Sequence, residues 1–540
     1  MKPKPDIEFV VVIIIIILLG AFLRFYKLDW GSGLFFNPDE LFIGISVSQL
    51  SFPSQLNPHL FSYGALPVYL VYFAQQLFHF IGPLSNPILI GRFFAALFST
   101  LSILLTYQIA RFFFPQRVWA DLAAFLAAVT AGSIQQAHFT TPEAFETFFL
   151  LLTLLFLLHF TTKKSRRDLL LAAAAFGLAL GTKVSAAMLA PTFLLSILFV
   201  YQRSWRESLQ EGFLAVLIGT LVFLAAAPFN LLDFSSFKTS IEYETSIANG
   251  SLPVFYTRQF IDTTPVLFQL QSILPYSLGP GLLLAGLAGL LAMLAATVRK
   301  FSPVQWLLLL AFSCLFFPNA FLFVKWTRYM VPVLPILAVF AAYFLFTLSQ
   351  ASSFFSPVLT IILLVVTGAW AMAFFSIYLR PDIRVTASAW LNQNIPKGST
   401  IAMETGNVYS LPLSGNYNLR VLDFYNLDTD PFDRQGVAQG LAQADYFIVA
   451  SRRVFYNHQR LPQQFPQTAR FYDKLFSGHA GFRLIGKATS FPQLDFQGAK
   501  LIFPDEDAEE TWTVFDHPVV RVFQRQRPMS EEQYVRLFTQ

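Results

Sequence analysis

The chain has 540 residues, of which 55% are hydrophobic and only 13% are charged, and its formal net charge is +5. Soluble domains carry about 25% charged residues, so this composition excludes a soluble globular protein and indicates a polytopic membrane protein. Because the net charge is small and the basic residues cluster beside apolar runs, nucleic-acid binding is poorly supported.

Apolar runs approaching the roughly 20 residues that a membrane span needs recur over the first two thirds of the chain. The first follows Lys2 and Lys4, as a signal peptide would, but its length and its lack of a small-residue cleavage site predict a retained anchor. The lone Cys314 lies in an apolar stretch, is expected to be a small buried hydrophobe, and excludes an intrachain disulfide. The predicted spans are 8–28, 88–113, 118–133, 144–160, 169–182, 185–201, 213–229, 274–298, 304–323, 329–348 and 354–378.

Basic loops predict the orientation of these spans. The basic groups at 2–4, 111–117, 163–167, 203–206 and 299–300 all fall on one side if the stretch 66–81 does not cross. We therefore interpret 66–81 as an interfacial or re-entrant helix. The result is about eleven crossings, with both long polar segments, 230–273 and the region after 380, on the outer side.

The fold class predicted is a polytopic α-helical membrane protein with a C-terminal soluble α/β domain. We place the membrane domain at 1–379, with outer loops 29–87 and 230–273, and the extracytoplasmic α/β domain at 380–540, which is long enough for one independent domain. In that domain, periodicity predicts helices at 386–394 and 432–444, strands at 400–404, 421–425 and 446–450, and a hairpin formed by 512–515 and 519–523.

Two adjacent acids follow the first apolar run, in Asn37-Pro38-Asp39-Glu40. A carboxylate in hydrocarbon is costly, so Asp39 is expected at or beyond the membrane edge. Asn37 can cap a helix, Pro38 suits its first position, and Glu40 completes an Asn-x-x-Glu capping box. The sequence favours neither of two roles for Glu40, helix capping or catalysis. Successive helical residues point in directions about 100° apart, so the two acids cannot have the same role. Asp39 is therefore the candidate catalytic group.

Further ionisable groups collect at the predicted outer ends of the spans, and each has a structural alternative. Lys325 and Arg328 can be snorkelling anchors, and His138 an interfacial hydrogen-bonding group. Glu143 can also start a helix after Thr141-Pro142, and Lys183 is either a turn residue or a cation facing an outer cavity. The remaining outer groups are His59 and Arg258, whereas Arg92 is left out because simple topology gives it a basic-inside location.

Taken together, these motifs resemble a known family. The chain is similar to the GT-C fold glycosyltransferases that include the protein O-mannosyltransferases and the aminoarabinose transferase of lipid A (glycosyltransferase family 39-like). The resemblance covers most of the first 378 residues and rests on the order of short motifs. They are 37–40, 57–59 leading to Tyr63 and Pro67, Gly91-Arg92 with 107–111, 138–143, 177–183, and Arg328-Tyr329 with Pro332 and Pro335. A weaker resemblance lies at 516–518, which is similar to a C-terminal tail in some bacterial relatives.

The resemblance implies transfer of a sugar from a polyprenyl-phosphate donor to an acceptor hydroxyl on the outer face of a bacterial plasma membrane. Asp39 matches the family's catalytic acid, Glu143 a second acid, and Lys183 a family lysine. The accessory domain differs from that of the protein O-mannosyltransferases, so the acceptor, a lipid, a glycan or a protein, stays open.

The chemistry agrees with the residues. The reaction needs a carboxylate base within reach of the acceptor hydroxyl, and Asp39 is the candidate for it. It also needs cations beside the leaving phosphate, for which Lys183 and Arg258 are the candidates. One base and direct displacement imply inversion at the anomeric carbon. No cofactor is expected with certainty, although a divalent metal between Asp39 and Glu143 stays open.

Two other classes of protein fit less well. In a membrane transporter or lipid flippase, the outer acids would gate or bind a cation, but the paired broken spans of inverted repeats are absent from the sequence pattern. A third alternative is a catalytically silent scaffold that displays the outer domain.

Overall fold

The structure, a computed structural model, describes residues 7–81, 86–405 and 411–540. The chain divides into two units, and each includes segments that are distant in sequence. The membrane unit comprises Met1–Leu28, Asp39–Leu252 and Thr263–Phe375, and the C-terminal unit comprises Asp29–Pro38, Pro253–Asp262 and Ser376–Gln540. Two short pieces of the predicted outer loops therefore group with the C-terminal unit.

The membrane unit is helical throughout. Its α-helices are α1 (Ile7–Phe25), α2 (Pro38–Ser48), α3 (Ala65–Ile81), α4 (Pro87–Ala110), α5 (Arg117–Ala128), α6 (Ala131–Ala137), α7 (Glu143–Lys163), α8 (Arg166–Thr182), α9 (Ala190–Val200), α10 (Trp205–Ala226), α11 (Phe229–Leu232), α12 (Phe234–Ala248), α13 (Leu274–Leu278), α14 (Pro280–Arg299), α15 (Pro303–Phe321), α16 (Leu334–Ala351) and α17 (Phe355–Leu379). Short 3-10 helices lie at Val184–Leu189 and Thr327–Val333, and a π-helical turn at Gln269–Ile273. A further 3-10 helix, Phe255–Phe260, belongs to the C-terminal unit.

Within the described residues, seven helices are long and apolar enough to cross a membrane, or eight if the bent pair α5–α6 forms one span. The other three predicted spans are also helical. α1 covers Ile7–Phe25, the 3-10/α9 pair covers Val184–Val200, and α8 has 17 residues. The polytopic helical fold is confirmed, and the count of about eleven crossings stays a prediction for those three elements.

Close backbone contact brings one loop of the membrane unit against the end of α8. The Gly64 N–H donates to the Thr182 carbonyl at 2.9 Å. A Cβ at Gly64 would lie 2.0 Å from the Gly181 carbonyl oxygen, so the approach requires glycine. The contact fixes Tyr63 beside the chain that continues to Lys183.

The C-terminal unit contains a mixed sheet of five strands in the order β2-β1-β3-β7-β4. β1 pairs in parallel with β2 and β3, whereas β7 pairs antiparallel with β3 and β4. The elements are α18 (Ile383–Asn394), β1 (Thr400–Glu404), β2 (Asn418–Leu422), α19 (Pro431–Gln443), β3 (Tyr446–Val449), α20 (Phe455–Arg460), α21 (Pro466–Phe476), β4 (Phe482–Ala488), β5 (Gln493–Phe496), β6 (Ala499–Ile502), α22 (Glu510–Val514), β7 (Val520–Arg525) and α23 (Glu531–Thr539). β5 and β6 form a separate antiparallel pair.

Both faces of the five-stranded sheet are covered, as the continuous apolar run of β3 predicts. Phe447 and Val449 belong to a core shared with α19, α21 and α23, whereas Tyr446 and Ile448 belong to a second core with α18. The α/β class is confirmed. The predicted hairpin is wrong, because Trp512 lies in α22 and its buried indole N–H donates to Asp505 at 2.9 Å, while β7 pairs with β3 and β4.

Candidate active site

The acids at the start of α2 point to different partners. Glu40 has no exposed surface, and its Oε1 and Oε2 each lie 2.7 Å from the Arg92 guanidinium. Oε1 also accepts the Thr140 N–H at 2.7 Å. Since both oxygens are engaged in the interior, we infer that Glu40 positions the start of α2 beside α4 and the turn before α7. Arg92, which the sequence argument left out, lies at this site.

Asp39 instead forms an ion pair with Arg328, which lies 289 residues away in the chain. Arg328 Nη1 also donates to the Tyr63 hydroxyl at 3.1 Å, and the Tyr63 side chain is hydrogen-bonded to Asp39. The Asp39 and Arg328 side chains keep 17% and 22% of their surface exposed, so both can be reached from outside the bundle. The guanidinium lies over the Trp326 ring at 4.8 Å, which orients its plane.

A second ion pair connects the first residue of α7 with the residue that follows α8. Lys183 Nζ lies 3.0 Å from Glu143 Oε1 and 3.8 Å from Glu146 Oε2. Burial opposes the charge on Lys183, but the two carboxylates outweigh burial and raise the pKa of its ammonium group above the ordinary value. Lys183 also lies over the Tyr329 ring at 4.9 Å, and Tyr329 is the neighbour of Arg328. The two ion pairs therefore adjoin each other.

Two acids of this region were missed by the sequence argument. Glu146 accepts a hydrogen bond from Ser185 at 2.6 Å, and its position three residues after Glu143 places it on the same helix face. Glu244 on α12 interacts electrostatically with Arg328, Asp39 and Lys183, and burial raises the pKa of its carboxyl group. The sequence feature that could have identified Glu244 is its position in a partly apolar helical segment of an otherwise polar loop.

The remaining predicted site residues are not members of these two ion pairs. His59 is in the loop before α3 with its Nε2 3.1 Å from the Gln55 amide. His138 is fully buried, and its ring nitrogens lie 2.8 and 3.1 Å from main-chain carbonyls of Ile134 and Tyr26. Arg258 belongs to the C-terminal unit. Its Nη1 donates to the Tyr425 carbonyl at 2.9 Å and lies 2.7 Å from His458 Nε2.

Across residues 7–81, 86–405 and 411–540, no group of three His, Cys, Asp or Glu side chains is placed to hold a metal ion. Asp39 and Glu143 are each paired with a cation rather than with each other. What converges is a partly exposed carboxylate, Asp39, with two cations, Arg328 and Lys183. This set can accept a proton and can stabilise an anionic phosphate.

Two comparisons with known proteins gave matches. Residues 67–231 match the family described as dolichyl-phosphate-mannose-protein mannosyltransferase. An oligosaccharyltransferase structure from Archaeoglobus fulgidus, tethered with an acceptor peptide, is 14% identical, with 96% of this chain and 89% of that chain covered and a TM-score of 0.53. AglB from the same organism, in complex with an inhibitory peptide and a dolichol-phosphate, is 13% identical over 92% of this chain and 74% of that chain, with a TM-score of 0.54.

ArnT from Cupriavidus metallidurans in the apo state is 14% identical, with 96% of this chain and 98% of that chain covered and a TM-score of 0.47. The comparison with curated proteins gave no match. At these identities, the likeness to the two archaeal structures shows a shared fold.

Proposed function

The chain is an integral membrane protein of the GT-C fold, and from that premise we propose that it transfers a sugar from a polyprenyl-phosphate donor to an acceptor hydroxyl. The transfer would take place on the outer face of the membrane, which for a bacterial chain is the extracytoplasmic face of the plasma membrane. Part of the chain matches the mannosyltransferase family model, and an archaeal protein of the same fold was solved with a dolichol-phosphate.

The observation that carries this proposal is the meeting of the Asp39–Arg328 and Lys183–Glu143 ion pairs. They bring together the starts of α2 and α7, the end of α8, and the 3-10 helix before α16. Charged groups at span ends are costly to keep near lipid, and a scaffold has no need to gather them. A donor anchored in the bilayer by its own tail presents its headgroup at the ends of the spans, so the site needs only to position it.

In the proposed reaction, the acceptor hydroxyl oxygen attacks the anomeric carbon of the donor sugar. The bond between that carbon and the phosphate oxygen breaks, and the phosphate leaves with the bonding electron pair. The hydroxyl proton moves to a carboxylate, for which Asp39 is the first candidate. Lys183 and Arg328 would stabilise the charge that develops on the phosphate. A single displacement inverts the anomeric carbon.

Glu244 is the second candidate for the base. Asp39 is engaged in an ion pair with Arg328, whereas burial raises the pKa of the Glu244 carboxyl group and makes it more basic than usual. Arg258 is not needed in this scheme, since its guanidinium is engaged with Tyr425 and His458 in the C-terminal unit.

The test is to incubate the reconstituted protein with a panel of polyprenyl-phosphate sugars and to identify the product by mass. Asp39→Asn should lower transfer by roughly 10²–10⁴-fold, as expected for loss of a general base, while the protein still folds. Glu242→Gln is the matched control, because Glu242 is exposed on α12 and pairs with Lys238 on the surface. If Asp39→Asn retains transfer and Glu244→Gln loses it, the base is Glu244.

Absence of transfer with every donor would count against the enzyme. Directional movement of a solute into liposomes with no sugar donor present would favour the transporter or flippase instead.

A further inference from the structure

A cavity of about 520 Å³ lies in the C-terminal unit at the edge of the sheet. Its wall is formed by the turn between α21 and β4, the start of β4, the segment after β7, and α23. Three arginines and a histidine line it: His479, Arg483, Arg527 and Arg536. We call this the arginine cavity. It lies outside the candidate active site and is independent of the proposed function.

In the described part of the chain, no carboxylate forms an ion pair with the exposed arginines of the arginine cavity. Among the described residues, the side chains of Arg483, Arg527 and Arg536 form no ion pair or hydrogen bond, and no acidic residue lines the cavity. Glu531 and Glu532 line a neighbouring cavity that shares Arg536. Guanidinium groups gathered without a counter-charge repel one another, so a bound anion would lower the free energy of this arrangement.

Other arginines of the same unit show the contrast. Arg521 Nη2 lies 2.6 Å from Glu506, and Arg525 Nη2 lies 2.6 Å from Asp445. Arg384 Nη2 lies 2.7 Å from Asp382. These three arginines each have a carboxylate partner, unlike the arginines of the arginine cavity.

The cavity is also built on a well-defined backbone. The N–H groups of Gln526 and Arg527 donate to the Gly481 carbonyl at 2.9 and 3.2 Å. Gly481 has a φ of +79°, and a Cβ there would lie 2.8 Å from the Arg527 carbonyl oxygen, so this approach requires glycine. These contacts fix the backbone that carries Arg527 against the turn that carries His479, and they preorganise the two sides of the cavity.

The rest of the lining fits a molecule larger than a free ion. Gln526 and Gln533 supply amide donors and acceptors, and Phe482 and Met529 supply apolar surface. A volume of about 520 Å³ falls in the usual range of small-molecule sites, roughly 300–1,000 Å³. Mixed amide and apolar groups beside guanidinium groups suit a sugar that carries an oxyanion.

We propose that the arginine cavity binds a sugar-sized molecule bearing phosphate. The guanidinium fork pairs with two phosphate oxygens at once, and three arginines match the multiple charge of a phosphoryl group better than that of one carboxylate. Neither the family match nor the fold assigns a ligand to this cavity.

The experiment is isothermal titration calorimetry of the full chain in a maltoside detergent, which has no phosphate headgroup. The probes are glucose 6-phosphate, pyrophosphate, glucuronate and glucose. We expect glucose 6-phosphate and pyrophosphate to bind, glucuronate to bind at least about tenfold more weakly, and glucose not to bind, since charge-assisted hydrogen bonds to phosphate dominate. Added salt should weaken binding, because the cavity is open to solvent.

Arg483→Gln/Arg527→Gln should lower the affinity for glucose 6-phosphate at least about tenfold, as expected for loss of two charge-assisted contacts. Arg420→Gln is the matched control, because Arg420 is exposed on β2 and does not line the cavity, and it should bind as the unaltered protein does. Arg536→Gln provides a single-substitution check should the double variant fold poorly.

Three results would overturn the proposal. They are absence of binding by both phosphate probes, equal or tighter binding of glucuronate, and unchanged affinity in the folded arginine variants.

Discussion

The Arg92 guanidinium holds both carboxylate oxygens of Glu40, with Nε–Oε1 and Nη2–Oε2 distances of 2.7 Å each. Neither side chain has exposed surface. The pair ties the first turn of α2 to α4, and the bond from Thr140 adds the turn before α7. Asp39 precedes Glu40 on the same helix, and the two side chains point in different directions. By fixing the first turn of α2, the buried pair therefore also fixes the direction of the Asp39 side chain.

Replacing one member of that pair should destabilise the protein strongly. Glu40→Gln removes the carboxylate that pairs with the buried Arg92 guanidinium, and breaking a buried ion pair in this way typically costs about 3–5 kcal/mol. The measurement is the midpoint of thermal unfolding in detergent. Glu211→Gln is the control, because Glu211 pairs with Arg166, whose side chain is 63% exposed, and such surface pairs are worth about 0–1 kcal/mol.

The double variant Glu40→Leu/Arg92→Met should regain most of the lost stability, because apolar residues of similar volume often replace a buried ion pair without loss. If Glu40→Gln is as stable as the unaltered protein, the pair does not anchor α2.

Lys183 should have two separable effects. Lys183→Ala leaves the fully buried Glu143 carboxylate without its cation, so we expect a lower unfolding midpoint together with weaker use of a polyprenyl-phosphate sugar donor. Lys183→Ala/Glu143→Gln removes the nearer of the two carboxylate charges that lose their cation, Glu146 being the other, and should restore part of the stability but not donor use. An unchanged dependence of transfer on donor concentration in the stabilised double variant would make Lys183 a structural residue.

Glu244 should make stability depend on pH. Its carboxyl pKa is raised above 4.5, mainly by burial, so the folded state binds a proton more tightly than the unfolded state does. Its contribution therefore favours folding at low pH and declines as the pH rises from the ordinary value through the raised one. Glu244→Gln should remove this decline from the unfolding midpoint measured against pH.

The paired variant Glu242→Gln should keep the decline, since Glu242 lies two residues away on the exposed side of α12. A decline of equal size in the Glu244→Gln protein would show that another group is responsible. If Glu244 is the base, the rate of transfer should also fall as the pH drops through the raised pKa, because the protonated acid cannot accept the acceptor proton.

His517 should stabilise the C-terminal unit up to alkaline pH. Its Nε2 lies 2.9 Å from Asp505 and its Nδ1 contacts Asp516. Burial opposes its charge, but the two carboxylates outweigh burial and raise the pKa of His517 from 6.5 to about 10. The stabilisation is thus fully present below pH 6.5 and is lost as the pH rises through about 10.

Thermal unfolding measured between pH 6 and pH 10 should show that loss in the unaltered protein. His517→Gln should unfold at a lower temperature at neutral pH, because it leaves two buried carboxylates without a cation, and its midpoint should vary less with pH. The exposed His479→Gln should behave as the unaltered protein does. An unaltered protein whose midpoint stays constant up to pH 10 would contradict this assignment.

Local patterns in the sequence predicted much of the fold correctly. The strand 400–404 was placed at its observed bounds, and the helices near 386–394 and 432–444 were placed within a few residues, because period and capping are short-range properties. The hairpin at 512–523 failed because β7 found its partners in β3 and β4, which are distant in sequence. Strand pairing of that kind cannot be read from a local run.

The sequence by itself determined the class of protein, since 55% hydrophobic residues with few charges can be accommodated only by apolar helices in a membrane. It also predicted that Asp39, Glu143, Lys183 and Arg328 lie at or beyond the ends of spans, because charge is costly in hydrocarbon. Only the tertiary structure decided which of them meet. Asp39 pairs with Arg328 across 289 residues and Glu40 with Arg92 across 52, and ion pairs over such separations depend on helix packing rather than on any local pattern.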